Sequence, residues 1–441
     1  CRESPMFDPV NEPSFRLDIA GLPEPFEVLA FTGREAISEP FAFDVDLLIE
    51  DPALDLASLL YRPAALHIGP QNRAIQGQLH ELVQRDHGTS ARLCQVRLGP
   101  KLACLGQRLS QRIFNALSVP EILDQVLREH GIVGRDRRFE LEGDYPPLDF
   151  CTQYRESDLQ FLHRLCAQAS LHYHFEHQER GHCLVFGDGH GHFRAGARAP
   201  FRVDGERPGV RQFQLQAGQC QAPGAEGRSD LSALRSGYSM ALTGHPVAEW
   251  NRRWLLTHVE HQGRQDPVEP YTNQIRAVPW PAPFDPPRAP VKPRMHSLQR
   301  AWVVEVEELR PDPSRPVAVQ FDWLYQGEGA SPSHCWLPLA GELQGSNAFG
   351  EGTEVVVSFI EGDPDQPMIC GFLPTPAAVE ELGVMPVSLA GPAGEGMLEQ
   401  LRSGEPLVVL CLMPGGGSFS HCTQALCTCR VAMECGRSGA A

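Results

Sequence analysis

The stretch Phe349-Gly350-Glu351-Gly352-Thr353-Glu354-Val355-Val356-Val357-Ser358-Phe359-Ile360-Glu361-Gly362-Asp363-Pro364-Asp365-Gln366-Pro367 decides how the rest of the chain reads. Glycines precede one short apolar run ending at Phe359, and a second, Pro367-Met368-Ile369-Cys370-Gly371-Phe372, follows a dense Gly-Asp-Pro turn. That is strand, tight turn, strand. Gly350, Gly352, Glu361, Gly362, Asp363, Pro364, Asp365 and Pro367 are thus expected to shape backbone rather than carry catalysis.

Working outward, Ala301–Val306, Val317–Phe321 and Cys335–Leu339 are three further short apolar runs, and five strands at this spacing suit a small closed barrel of the OB type. Seven prolines between Val278 and Pro293 cannot enter a sheet interior and mark a stiff linker. At the front, Phe15–Ile19, Phe26–Phe31, Phe41–Leu47, Ala65–Ile68 and Arg92–Val96 alternate with period two, as half-buried strands of a barrel or sandwich do. The period then changes. Ser118-Val119-Pro120-Glu121 makes a capping box before Ile122, Leu123, Val126 and Leu127, predicting a helix that stops at His130-Gly131. A second helix starts near Ser157-Asp158, with Leu159, Leu162, Leu165, Cys166 and Ala169 on one face, and runs into strands at 171–175 and 183–186. Strand signals resume at Val210–Leu215, Ser239–Thr243 and Trp254–Val259.

Composition narrows the function. With 38 Lys+Arg against 55 Asp+Glu, the net charge of −17 opposes binding to phosphate backbones or anionic lipid, so nucleic acid is not an expected partner. No run of apolar residues is long enough for a stable membrane span. Gly 41 and Pro 39 without a fixed period favour many turns between short strands. The first residue, Cys1 rather than Met, suggests an altered or extended N-terminus with Met6 as the candidate start. Cysteines such as Cys94, Cys104 and Cys166 sit in apolar surroundings and read as buried reduced thiols; Cys411, Cys422, Cys427, Cys429 and Cys435 fit no standard zinc spacing.

The quoted Phe349–Pro367 stretch resembles the strand-turn-strand signature of VgrG proteins, the trimeric tip spikes of bacterial type VI secretion systems. Phe31–Phe43, Tyr154–Leu165, Leu242–Pro246, Trp254–His261 and Tyr271–Asn273 resemble further family segments in the same order. The resemblance implies a mainly β, trimeric protein with an α/β insertion, two tube-type β-barrels and an OB-fold barrel. Its expected plan is a first hub barrel over 14–109, the insertion over 110–204, a second hub barrel over 205–277, a linker over 278–295, the OB barrel over 296–375 and a tail over 376–441. Three chains with two barrels each would present six seats to the hexameric Hcp tube, resolving a threefold-to-sixfold mismatch as phage tail hubs do. Baseplate components and a PAAR-type tip, adaptor or effector are the other implied partners. The resemblance further implies assembly in the cytoplasm, then secretion through the apparatus into the medium or a target cell. Full-length members continue into a repetitive β-helical needle; the residues after 375 lack such repeats, so the point is expected to be missing or supplied by another protein. Leu407, Val408, Val409, Leu410 and Leu412 form a short apolar run expected to dock a partner.

Enzymatic readings are weaker. His172 and His174 share a strand face with Glu176 and could ligate a metal, as for a metal-dependent hydrolase; the plainer reading is a hairpin with Tyr173 and Phe175 facing the core. Glu395, Glu399 and Glu405 follow the barrel where a cell-wall-degrading spike enzyme would place paired carboxylates, but with too little chain for a cleft. Trp302, Phe321 and Trp336 could stack bases on an OB barrel, yet the acidic run Glu305-Val306-Glu307-Glu308 favours core packing for them. No zincin motif, nucleophile elbow or P-loop occurs. No catalytic residue, metal or cofactor is therefore expected.

Overall fold

A computed structural model describes residues 15–51, 53–69, 74–87, 91–203, 207–216, 224–265, 270–281, 290–307, 312–325, 334–343, 350–373, 407–413 and 416–422. Six strands open the chain: β1 Phe15–Ile19, β2 Phe26–Ala36, β3 Glu39–Ile49, β4 Pro63–Ile68, β5 Ala74–His87 and β6 Arg92–Gly99. They pair in the order β1-β4-β5-β6-β3-β2, and β1 also pairs with β2, so the sheet closes into a six-stranded barrel. Strict alternation made this possible. Phe15, Leu17 and Ile19 of β1 and Phe43, Val45, Leu47 and Ile49 of β3 point inward, each at most 3% exposed.

The next stretch carries β7 Leu109–Phe114, α1 Val119–Glu129, β8 Arg137–Glu140, β9 Cys151–Ser157, α2 Asp158–Gln168, β10 His172–His177 and β11 His182–Gly187. Both helices start where the capping boxes lie. At α1, Glu121 accepts from the Ser118 backbone N–H at 2.8 Å; at α2, the Gln160 backbone N–H donates to Ser157 Oγ at 3.2 Å. Asp158, fully buried in the first turn of α2, accepts from Arg108 at 2.6 Å and Gln153 at 2.8 Å and meets His130 at 2.7 Å. Burial alone would raise its carboxyl pKa; these partners outweigh that and bring it below the usual carboxylate value.

Beyond lie β12 Arg194–Pro200, β13 Val210–Gln216, β14 Gly224–Ser229, β15 Tyr238–Thr243, β16 Arg253–Arg264 and β17 Tyr271–Pro279. Their order is β13-β14-β17-β16-β15-β12, and a bridge from Phe201 to Val210 joins the end of β12 to the start of β13. Although β12 falls inside the 110–204 stretch expected as insertion, it pairs in parallel with β15 and so packs with the later strands. The two strand sets share one edge. After Phe26 and Glu27 pair with β1, the same side of β2 pairs from Ala30 to Ala36 with β16.

Five strands follow, β18 Gln299–Val303, β19 Val317–Phe321, β20 Cys335–Leu337, β21 Glu354–Phe359 and β22 Pro367–Leu373, in the order β20-β19-β18-β21-β22. A bridge between Leu339 and Ile369 ties the two ends together. Phe321 is in the core of this set, as expected, whereas Trp302 and Trp336 are only half-buried, because they alternate onto the outer face with Arg300 over the Trp302 ring. Cys94 and Cys166 are buried free thiols; Cys104 is half-buried instead, lying on a turn rather than a strand. A last hairpin pairs β23 Leu407–Met413 with β24 Gly416–Cys422. Glu395, Glu399, Glu405, Cys427, Cys429 and Cys435 lie outside the described residues.

Two glycines let the strand sets close up. Gly33 faces Phe43 across β2 and β3, and Gly263 faces Phe31 across β16 and β2; a Cβ at either would lie 2.1 Å from the opposing ring. Gly33→Ala and Gly263→Ala should each destabilise the front of the chain by about 1–3 kcal/mol, the usual range for overpacking. Thermal unfolding followed by intrinsic fluorescence checks this, and an unchanged midpoint for both would contradict the packing.

Candidate functional site

The signature turn is a joint between parts of the molecule. Glu361 and Gly362 adopt left-handed backbone, with φ of 55° and 74°, and a Cβ on Gly362 would meet His296 at 3.1 Å. This tight corner brings Asp363, Pro364 and Asp365 to partners outside their own strand set. Asp365 Oδ1 accepts from the Thr152 backbone N–H at 2.6 Å, and the Pro364 carbonyl accepts from Thr152 Oγ1 at 2.8 Å. Lys292, at the end of the proline-rich segment, reaches both carboxylates, at 2.5 Å from Asp363 and 2.6 Å from Asp365. One turn therefore grips β9 and Lys292 together. Behind it, Phe150 and Tyr154 pack into the apolar cluster of the five-stranded unit with Met295 and Phe321. Arg164, 1% exposed, forms a buried pair with Glu156 at 2.5 Å and donates to the Thr152 carbonyl at 2.9 Å, fixing β9 from its other side. Gly350, Gly352 and Pro367 shape the approach: Gly352 has φ of 78°, and Pro367 opens β22.

A second junction was not singled out in the sequence. Glu35, near the end of β2, is 4% exposed and lies where both strand sets and the β10–β11 hairpin meet. Its carboxylate is 3.2 Å from His261 Nε2 of β16, 3.5 Å from His177 Nε2 of β10 and 3.8 Å from Arg235 Nε. Burial would push Glu35 up, but Arg235, His177 and His261 outweigh it and hold the carboxyl far below its ordinary 4.5. Burial pushes His261 down despite Glu35, so the ring is a neutral donor to the carboxylate, with Tyr271 Oη 2.7 Å from its Nδ1. Asn273 donates to the same Oη at 3.0 Å. The only sequence signal was local: a carboxylate inside an alternating apolar strand and a histidine in register on another.

The histidine stretch is structural in its surroundings. His172 and His174 do share a face of β10 with Glu176, but that face is covered as well as the Tyr173 and Phe175 face, all four residues being at most 7% exposed. Phe193 stacks on His172 at 4.5 Å. Burial, then His174 and His192, push His172 down to about 3. Glu176 is bound by Arg194 at 2.6 Å and Arg138 at 2.9 Å; burial opposes its ionisation, yet His174 and these arginines bring it to about 2. Among the described residues no three His, Cys, Asp or Glu side chains are grouped so as to hold a metal ion. No described helix is long and apolar enough to cross a membrane. Leu407, Val408, Val409, Leu410 and Leu412 lie on β23, paired along its length with β24.

Comparison with known proteins decides the family. The model of the phage tail baseplate hub (GPD) family matches residues 34–217 and 204–267. The type VI secretion system spike protein VgrG5 of Pseudomonas aeruginosa is 36% identical over 83% of this chain and 58% of its own length. The chain belongs to the phage tail baseplate hub (GPD) family and is similar to VgrG spike proteins. VgrG4b of the same organism is 34% identical over 89% of this chain and 61% of its own length, so the chain spans about three fifths of these VgrG relatives. The fold agrees with that of the E. coli c3393 protein, described as a type VI secretion component resembling T4 tail proteins gp27 and gp5: the TM-score is 0.69 at 24% identity, over 81% of this chain and 99% of that one. The VgrG signature turn and the junction around Glu35 both fall within segments through which this family was legible.

Two outcomes follow from the joints. Asp365→Ala removes the acceptor of the Thr152 N–H and one Lys292 partner, which should cost about 1–3 kcal/mol and raise protease cleavage within 278–295, read on a gel against the parent chain. Glu35→Gln leaves Arg235 without its buried partner and should cost about 3–5 kcal/mol. In the parent chain Glu35 stays ionised while the unfolded chain takes a proton, so its stabilisation is complete above about pH 4.5 and fades as pH falls further. Denaturant midpoints measured from pH 7 to pH 3 should show the parent losing this advantage and Glu35→Gln having none to lose.

Proposed function

We propose that this chain is the structural hub of the cell-puncturing spike of a type VI secretion system. One observation carries the reading: β2 pairs along one side first with β1 and then with β16, so a closed six-stranded barrel and a second six-stranded set lie side by side in one chain. The second set, with its Phe201–Val210 bridge, is the second tube-type barrel; with β12 in it, this barrel begins before residue 205 and the insertion ends correspondingly earlier. The five strands over 296–375 form the OB-fold barrel, and 278–295 is the linker that the signature turn holds through Lys292. Three copies would then offer six barrel ends to the hexameric Hcp tube, with baseplate components around them.

The role needs no catalysis, and the structural names of the relatives support a non-enzymatic part. The tail over 376–441, through the β23 run Leu407–Leu412, is where a PAAR-type tip, adaptor or effector docks. Assembly precedes passage through the apparatus, so the protein is cytoplasmic first and secreted afterwards. Native mass measurement of the purified chain with Hcp tests this. A trimer bound to the tube end is expected; a monomer that ignores the tube would overturn the reading, and partner recovery unchanged by deletion of 380–441 would remove the docking role of the tail.

A further inference from the structure

Residue Gln76 of β5 sits at an unfinished edge of the first barrel. On one side it pairs with Ala65 of β4; on the other, the ladder with β6 begins only at Gln78. Its N–H and C=O on that side are therefore left to other partners, and a buried backbone pair without partners is costly. Two histidines of the β10–β11 hairpin supply them. The Gln76 N–H donates to His177 Nδ1 at 3.0 Å, and His182 Nδ1 lies 2.9 Å from the Gln76 carbonyl, to which it must donate. Gln76 Nε2 also donates to the Glu179 carbonyl in the turn between them, at 3.2 Å. His177 and His182 face each other across the hairpin, and Phe41 packs edge-on to both rings, at 5.1 and 5.5 Å.

We propose that His177 and His182 form an acid-released clamp: proton uptake by the His182 ring frees the β10–β11 hairpin from the first barrel at Gln76. The geometry requires His177 to keep a bare Nδ1 and His182 to carry a proton on its own Nδ1, opposite tautomers held by the backbone N–H and C=O of one residue. A second proton on His182 would put charge on a ring walled by Phe41 and by Phe175, each 5.5 Å away.

The surrounding charges are mixed. Lys101, near His182, opposes a charge on that ring; Glu35 of β2 lies 3.5 Å from His177 Nε2 and is shared with Arg235 and His261. Burial and then His177 lower His182 to about 3 in the closed hairpin, in agreement with its packing. Once the hairpin opens, a ring regains its ordinary affinity near 6.5, so the open form takes up protons first and gains with every step below that pH. A cleft of about 780 Å³ lined by His67, His177, Glu179, Arg180 and Arg235 gives water access to the site.

Hydrogen–deuterium exchange of the full chain at pH 7.5 and 5.5, expressed as protection factors, tests the clamp. Protection across 172–187 and at the Gln76 amide should fall roughly tenfold from His182 alone, the ratio set by one pH unit below an ordinary histidine. The β18–β22 unit should keep its protection. The pair His177→Asn and His182→Asn retains an acceptor and a donor at the Nδ1 positions without a titrating ring, and should flatten the response. Should the pair not fold, His182→Asn alone should remove most of the tenfold change. Protection that is unchanged with pH in the parent, that falls equally along the whole chain, or that falls alike in the variants would overturn the proposal.

Discussion

Strand β2 has only two edges, and the architecture depends on how one of them is divided. Its first residues close the six-stranded barrel against β1, while Ala30 to Ala36 are taken by β16. Backbone groups in a strand must be paired somewhere, so this division both seals one barrel and commits a second strand set to lie beside it. Glu35 sits within the committed half, and its buried charge is tolerable only because Arg235, His177 and His261 reach it from three other segments. A buried carboxylate with partners from so many segments penalises any arrangement in which one of them is displaced. Gly33 and Gly263 serve the same closure sterically, leaving room for the Phe43 and Phe31 rings.

The five-stranded unit is attached by a different principle. Its turn offers acceptors, Asp365 and the Pro364 carbonyl, to a donor pair on Thr152, and two carboxylates to Lys292. The turn also holds Lys292, close to the end of the proline-rich segment. The joint is made of short charged hydrogen bonds, backed by the packing of Phe150 and Tyr154 into the apolar cluster of the five-stranded unit.

Much of the local structure was legible. The capping box at Ser118 and the start near Ser157-Asp158 marked both helix starts, and the alternation in Phe15–Ile19 and Phe41–Leu47 marked half-buried strands. The turn 361–367 reads as structural in the sequence, and it contains left-handed backbone at Glu361 and Gly362, but its partners were not foreseen: Thr152 is 213 positions away from Asp365. Glu35 and His261 are 226 positions apart, and neither has a neighbour in sequence that signals burial as an ion and its donor. His172 and His174 were assigned to one face correctly, yet the cover supplied by Phe193 made that face interior.

The amino-acid sequence by itself determined what each segment could be: period-two apolar runs become strands, Ser-x-x-Glu becomes a helix start, and Gly-Asp-Pro becomes a corner, because these choices rest on sterics and hydrogen bonds within a few residues. Only the tertiary structure decided which edges meet. Strand pairing is chosen among many strands with similar alternation, and the choice is made by closure of the barrel, by the room left at two glycines and by the desolvation of Glu35, none of which exists until distant segments are together.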